Sequence, residues 1–115
     1  MTGCLPEGLS APEREAVSRY FEGDAQLFIA FRASCLTQFR QDFAAAEHAL
    51  ATADRAALRR TVHSLKSVCL TLGQADLSAQ ARRLEAEVPL AAWADVEAGW
   101  RRLQQGMRAV WAIAD

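Results

Sequence analysis

The stretch Thr61–Gly73, TVHSLKSVCLTLG, decides how this chain is read. Val62, Leu65, Cys69 and Leu72 recur at three- and four-residue spacing, which predicts a helix with one buried face. Leu58 extends the seam backwards, so the steps run 4, 3, 4, 3. With about 100° between successive helical residues, His63 lies roughly 140° from the mean core direction. The helix therefore turns a histidine to solvent, with Lys66 on its flank at i+3 and Ser67 one turn on. An exposed histidine is ordinarily only a solvated side chain, and His48 is read that way.

Working outward, the same periodicity predicts neighbouring helices. Asp54 is the expected N-cap of a helix over about Arg55–Leu72, and Gly73 its left-handed terminator. Upstream, Asp24 caps a long segment to about Ala51, with Phe28, Phe31, Cys35, Phe39, Phe43, Ala46 and Leu50 as its apolar stripe. "ATAD" supplies the turn between the two. A short helix over about Ser10–Glu22 starts with Ser10 as N-cap, Pro12 in the first turn and Glu13 at N3, and Gly23 breaks it. Downstream, Ala75–Val88 points Leu77, Ala81, Leu84 and Val88 inward, and Pro89 ends it. The last helix spans about Ala91–Ile113 with Trp93, Val96, Trp100, Leu103, Met107 and Val110 inward. Gly99 and Gly106 within it cost roughly 1 kcal/mol each relative to alanine.

β-branched residues are sparse, alanine is abundant and no two-residue alternation occurs, so no sheet is expected. The fold class is all-α: an antiparallel up-down-up-down four-helix bundle with a short N-terminal capping helix. The 115 residues fit one domain, with the core bundle over about 24–113. Met1 and the short length favour a free-standing protein.

Composition narrows the function. The chain is 51% hydrophobic and 23% charged, enough to bury a core. A net charge of -1 and a pI near 6.1 argue against a bulk nucleic-acid binder. No apolar run reaches the length of a membrane span, and "MTGCLPEGLSAPERE" has neither the basic nor the apolar region of a signal peptide. Cys4, Cys35 and Cys69 are too few and too widely spaced for a disulfide framework or a zinc site. Cys35 and Cys69 read as small core residues, and the cytoplasm is the simplest compartment.

Two features set His63 apart. From Arg55 to Arg83 the charged residues are Arg55, Arg59, Arg60, Lys66, Arg82 and Arg83 against Asp76 alone, a basic stripe in a net-acidic chain. Small residues, Ala56, Ser64 and Ser67, keep the rim around the ring low.

"HSLKSVCLTLG" resembles the core signature of histidine-containing phosphotransfer (HPt) domains. That signature has a histidine, x-Leu-Lys, a small residue, and a glycine ten residues after the histidine. The match is carried by His63, Leu65, Lys66, Ser67, Leu72 and Gly73. "DRAALRRTVH", "ADLSAQARRLE" and "FRASCLTQFRQDFAAAEHAL" resemble the flanking helices, so the similarity covers about Asp24–Glu87. The last helix fits by pattern only.

The resemblance implies a phosphocarrier of a multistep two-component phosphorelay, passing a phosphoryl group between His63 and receiver-domain aspartates. His63 is then the phosphoacceptor, at Nε2. Lys66 supplies positive charge to the phosphoryl oxygens, and Ser67 is the small residue beside the ring, where the family usually has glycine. Arg59, Arg60, Ala56, Leu70, Arg82 and Arg83 are the expected partner-binding residues. The partners would be receiver domains of response regulators or hybrid sensor kinases, met by a monomer. No nucleic acid, membrane, metal or cofactor of its own is expected, and Mg2+ would come with the receiver. No phosphate loop or kinase motif is present, so ATP binding and autokinase activity are not expected. The alternative is a non-catalytic helical module that binds a receiver or other regulatory partner without phosphotransfer. A nucleic-acid-binding bundle is disfavoured by the low pI, and a metalloenzyme by two distant histidines.

Overall fold

The computed structural model describes residues 8–113; the expectations resting on Met1, Cys4 and the leader character of the first residues lie outside the described residues. Among the described residues there are five helices and no strand: α1 (Ala11–Tyr20), α2 (Ala25–Ala51), α3 (Arg55–Thr71), α4 (Ala75–Glu87) and α5 (Trp93–Trp111).

Three helices begin at side-chain caps, because a short polar side chain satisfies amides that the first turn leaves without partners. The Ser10 hydroxyl accepts from the Glu13 N–H, and the Glu13 carboxylate accepts from the Ser10 N–H, a complete capping box. Asp24 accepts from the Leu27 N–H and Asp54 from the Ala57 N–H, each at 3.0 Å. Gln74 and Ala92, which precede α4 and α5, make no such bond. The start of α5 accordingly falls later than expected, at Trp93. The Leu90 and Ala91 amides instead donate back to the Glu87 carbonyl and form the turn.

The helices pack as a closed ring in which α2 meets α3, α3 meets α4, α4 meets α5 and α5 returns to α2. Contacts give the directions. Arg55, at the start of α3, donates to the Val88 and Ala91 carbonyls beyond the end of α4, so these two helices run oppositely. Leu84 sits by Gly99 and Leu77 by Gly106, the same relation for α4 and α5. Phe43 packs on Trp100 and Phe39 on Trp111, so α5 is also antiparallel to α2.

The seam read from the sequence is the core of α3: Leu58, Val62, Leu65, Cys69 and Leu72 are all buried. Removing each such side chain from water is worth about 1.5–3 kcal/mol for the larger ones. Cys35 is also buried, and burial pushes the Cys69 thiol up to about 12, so both behave as apolar filler.

The ends of two predicted stripes differ from expectation. On α5, Val96, Trp100, Leu103 and Met107 are buried, but Val110 is exposed and Trp93 only half-buried. A stripe stepping every 3.5 residues drifts about 20° per heptad on a straight helix of 3.6, so its ends rotate out. Trp111 takes the place expected of Val110 and packs on Phe39. On α2, Phe31 is 37% exposed, and its ring leans on Phe21 of the segment after α1.

The predicted cap is present: α1 lies over α2, where Phe21 packs edge-on to Phe28 and Arg32 pairs with Glu13 at 2.7 Å. It also reaches the α3–α4 turn. Gly73 has φ +88, and a Cβ there would lie 2.7 Å from the Pro12 carbonyl oxygen. Glycine is therefore required twice, by the backbone angle and by the approach of α1.

Candidate functional site

Because α3 buries the Leu58–Leu72 seam, His63 is left on its outer surface with 62% of its side chain exposed. α4 lies alongside, and its Glu85 reaches across. The His63 Nδ1 and Glu85 Oε2 are 2.6 Å apart. The other carboxylate oxygen, Oε1, accepts from the Lys66 Nζ at 2.8 Å. An Arg59 guanidinium nitrogen stands 3.9 Å from Oε2. One carboxylate, only 12% exposed, thus ties together a histidine, a lysine and an arginine of the neighbouring helix.

The Lys66 ammonium, followed by the His63 ring, holds the Glu85 carboxyl below the usual carboxylate range despite the opposing effect of burial. The group is an anion at neutral pH, with oxygens that can only accept. Nδ1 is therefore the protonated nitrogen of the pair. In the neutral ring that leaves Nε2 with its lone pair free. The site thus offers an outward imidazole of defined tautomer with an ammonium nearby.

The register that allows this is fixed beside the site. The Ser78 hydroxyl of α4 donates to the Lys66 carbonyl of α3 at 2.8 Å. Ser78 and Glu85, seven residues apart, lie on one face of α4. Arg82, between them on that face, is exposed.

Among the other residues singled out from sequence, Ser67 and Ser64 are exposed and leave the ring's surroundings low. Ala56, Arg59 and Arg60 are exposed on the turns before His63, and Leu70 on the turns after it. Leu70 also borders a groove against α1 lined by Pro12, Ala16 and Tyr20. His48 is exposed near the end of α2.

The basic stripe needs correction in three respects. Arg55 is not free to meet a partner: its guanidinium holds the Val88 and Ala91 carbonyls and stacks over Trp93. Arg83 lies in the groove between α4 and α5 with Gln80, Glu87 and Arg102, not beside His63. Glu85 offsets one of the remaining charges, pairing with Lys66. It lies two residues beyond the basic run, where the sequence alone gives it no role. Its signal was weak: an acidic residue bordering the inward stripe of Ala81, Leu84 and Val88. Position on α4 shows that such a residue is half turned inward, but not which side chain of another helix it meets.

Among the described residues no group of three or more His, Cys, Asp or Glu side chains could hold a metal ion, and no helix is long and apolar enough to cross a membrane.

Comparison with curated proteins and with solved structures gives no match. A family model described as the Hpt domain matches residues 30–113, well over half of the chain and all of α3, α4 and α5. The helical bundle and the match together establish that the chain belongs to the Hpt domain family, which serves histidine phosphotransfer in phosphorelays and interacts with receiver domains.

Proposed function

We propose that this protein is a phosphocarrier in a multistep relay, with His63 the residue that takes and gives the phosphoryl group. The observation that carries the reading is the pairing of His63 with Glu85. It leaves Nε2 as the nucleophilic nitrogen on an exposed ring whose other half-site must come from a partner. Transfer is then an in-line exchange between Nε2 and a receiver aspartate. Positioning and charge stabilisation do most of the work. Lys66 contributes the charge by leaving Glu85 Oε1 for a phosphoryl oxygen. Ser67 keeps the approach open.

Exposed Arg59, Arg60, Arg82, Ala56 and Leu70 around the ring provide the docking surface for an acidic receiver pocket, and Arg83 contributes only to long-range attraction. The carrier works as a cytoplasmic monomer and uses no cofactor of its own; Mg2+ belongs to the receiver.

The test is to mix the protein with phosphorylated receiver domains native to its cell and follow the label. We expect an acid-labile phosphate on the wild type and none on His63→Gln. Labelling of the variant would show that the wrong residue has been assigned. Absence of label across the native receivers, with binding intact, would leave the non-catalytic module as the reading. Lys66→Ala should slow transfer by about 100- to 1,000-fold while binding changes little, as for loss of one charge-stabilising donor.

A further inference from the structure

We propose that the groove between α2 and α5 is a second binding site, for a small planar anion: a flat ring carrying a carboxylate or a phosphate. It lies apart from His63 and stands independently of the phosphotransfer reading.

Four helices in a ring make four seams, and α2–α5 is the loosest of them. It lies across the bundle from the α3–α4 seam that carries His63 and Glu85. Two aromatic pairs, Phe39 with Trp111 and Phe43 with Trp100, bridge it together with the Glu47–Arg101 ion pair. Beside these bridges the helices leave a hollow of about 620 Å³. Pockets that take small ligands span roughly 300–1,000 Å³. Ala44 lines the hollow from α2, and its single methyl group at an exposed position keeps the mouth open.

The walls select the ligand. Arg40, Arg101 and Arg108 line the hollow with one carboxylate, Glu47. That carboxylate is already engaged, because Arg101 and the Trp100 indole N–H donate to it. Gln104, 3% exposed, turns its Oε1 to Arg101 at 3.4 Å. These acceptors are met by the protein's own donors, and the Arg40 guanidinium is a donor left over. It is exposed and makes no ion pair or hydrogen bond with another described residue. Its planar fork fits a carboxylate or a phosphate through charge-assisted hydrogen bonds. The flat shape follows from Arg108, whose guanidinium lies over the Phe43 ring, 5.5 Å from the centroid. Guanidinium and aromatic planes stack on rings. A ligand with its ring on this layer and its acid group on Arg40 satisfies both. Arg101, held by Glu47 on one side and Glu97 on the other, is a fixed wall, so binding needs little further ordering there.

The experiment is a titration of the full chain, followed by NMR of the arginine side chains and of the Trp100 and Trp111 indoles. The probes are adenosine monophosphate and benzoate, with adenosine, inorganic phosphate and acetate as controls. We expect at least one of the two aromatic anions to move the Arg40 and Arg108 signals with a Kd below about 1 mM, and the controls to bind at least about tenfold more weakly. The two probes tell a phosphate site from a carboxylate site. Arg40→Gln should weaken binding by about tenfold or more, as for loss of a charge-assisted hydrogen bond. Ala44→Trp, at an exposed helical position, should fill the hollow and abolish binding while leaving the thermal melt nearly unchanged. His63→Gln should bind as the wild type does, so failure of the phosphotransfer reading leaves this site standing. No shift with either aromatic anion up to about 5 mM overturns the proposal, as does equal binding of adenosine. Binding that survives Ala44→Trp, or that is lost in His63→Gln, places the ligand elsewhere and overturns it too. Shifts on adding a receiver domain but with neither anion would make the groove a protein contact instead.

Discussion

At the scale of single residues, the site is organised by a carboxylate that holds two partners at once. Glu85 meets the His63 ring with one oxygen and the Lys66 ammonium with the other. In the proposed transfer Ser67 has a different task. It stands one helical turn from His63 and is exposed, so its small size keeps the approach to the ring open. Ser67→Phe is expected to leave the fold and the His63–Glu85 pair intact while cutting the rate of labelling by phosphorylated receivers at least about tenfold. A 1 Å displacement of reacting groups already costs about a hundredfold. Kinetics with both variant and wild type, checked by the His63 15N shifts, measures this. An unchanged rate would show that the receiver does not approach over Ser67. That His63 and Ser67 face out and Lys66 lies on the flank is legible in the sequence, because one helix's periodicity decides which of its residues face out. The place of Glu85 is not, because its partner sits 22 residues away on another helix.

At the scale of elements, the turns carry as much specification as the helices. The α3–α4 turn has Gly73 at φ +88, with its amide donating to the Leu70 carbonyl and the Gln74 amide to that of Cys69. Gly73→Ala must strain the backbone and push a methyl group to within 2.7 Å of the Pro12 carbonyl oxygen. Backbone at that distance cannot give way cheaply. The expected loss is about 2–3 kcal/mol in chemical denaturation, with α1 loosened first, visible as faster amide exchange in Ala11–Tyr20. The glycine was read as a helix terminator from the sequence, and it is one. Its second role, making room for α1, follows only from how α1 folds back. Arg55 shows the same division. Its charge suggested a partner surface, yet it is used internally to hold two carbonyls beyond the end of α4.

Across the described residues, three carboxylates join helices through ion pairs: Glu13 of α1 with Arg32 of α2, and two whose own pKa the pairing depresses. Glu85 links α4 to α3. Glu47 on α2 links to α5, where Arg101 and the Trp100 indole N–H donate to it. Arg101 holds the Glu47 carboxyl below its usual range, as Lys66 does for Glu85. A group whose folded pKa is depressed contributes stability that is present above its unfolded value, about 4.3 for glutamate, and lost as pH falls through the folded value. Asp42 acts in the opposite sense, because burial raises its carboxyl. The two depressed groups outnumber it, so stability should hold from neutral pH down to about 4.3 and fall below it. Denaturant melts at successive pH values check this. Glu47→Gln and Glu85→Gln should each flatten the acid limb, and the double variant most. A limb unchanged in both would mean that neither pair helps to hold the bundle.

What the amino-acid sequence determined by itself was the set of helices, their caps and the direction each turns to the core. Ser10, Asp24 and Asp54 cap where they were expected to, and the seam of α3 is buried residue for residue. These are local matters, settled by side chains within a few residues of the backbone groups they serve. Tertiary structure alone decided which cations are spent inside the fold, where Arg83 points its charge, and that Glu85 stands behind His63. The physical reason is register. The contact between two helices depends on how far one has slid and rolled against the other, and that is set by the packing of the whole ring.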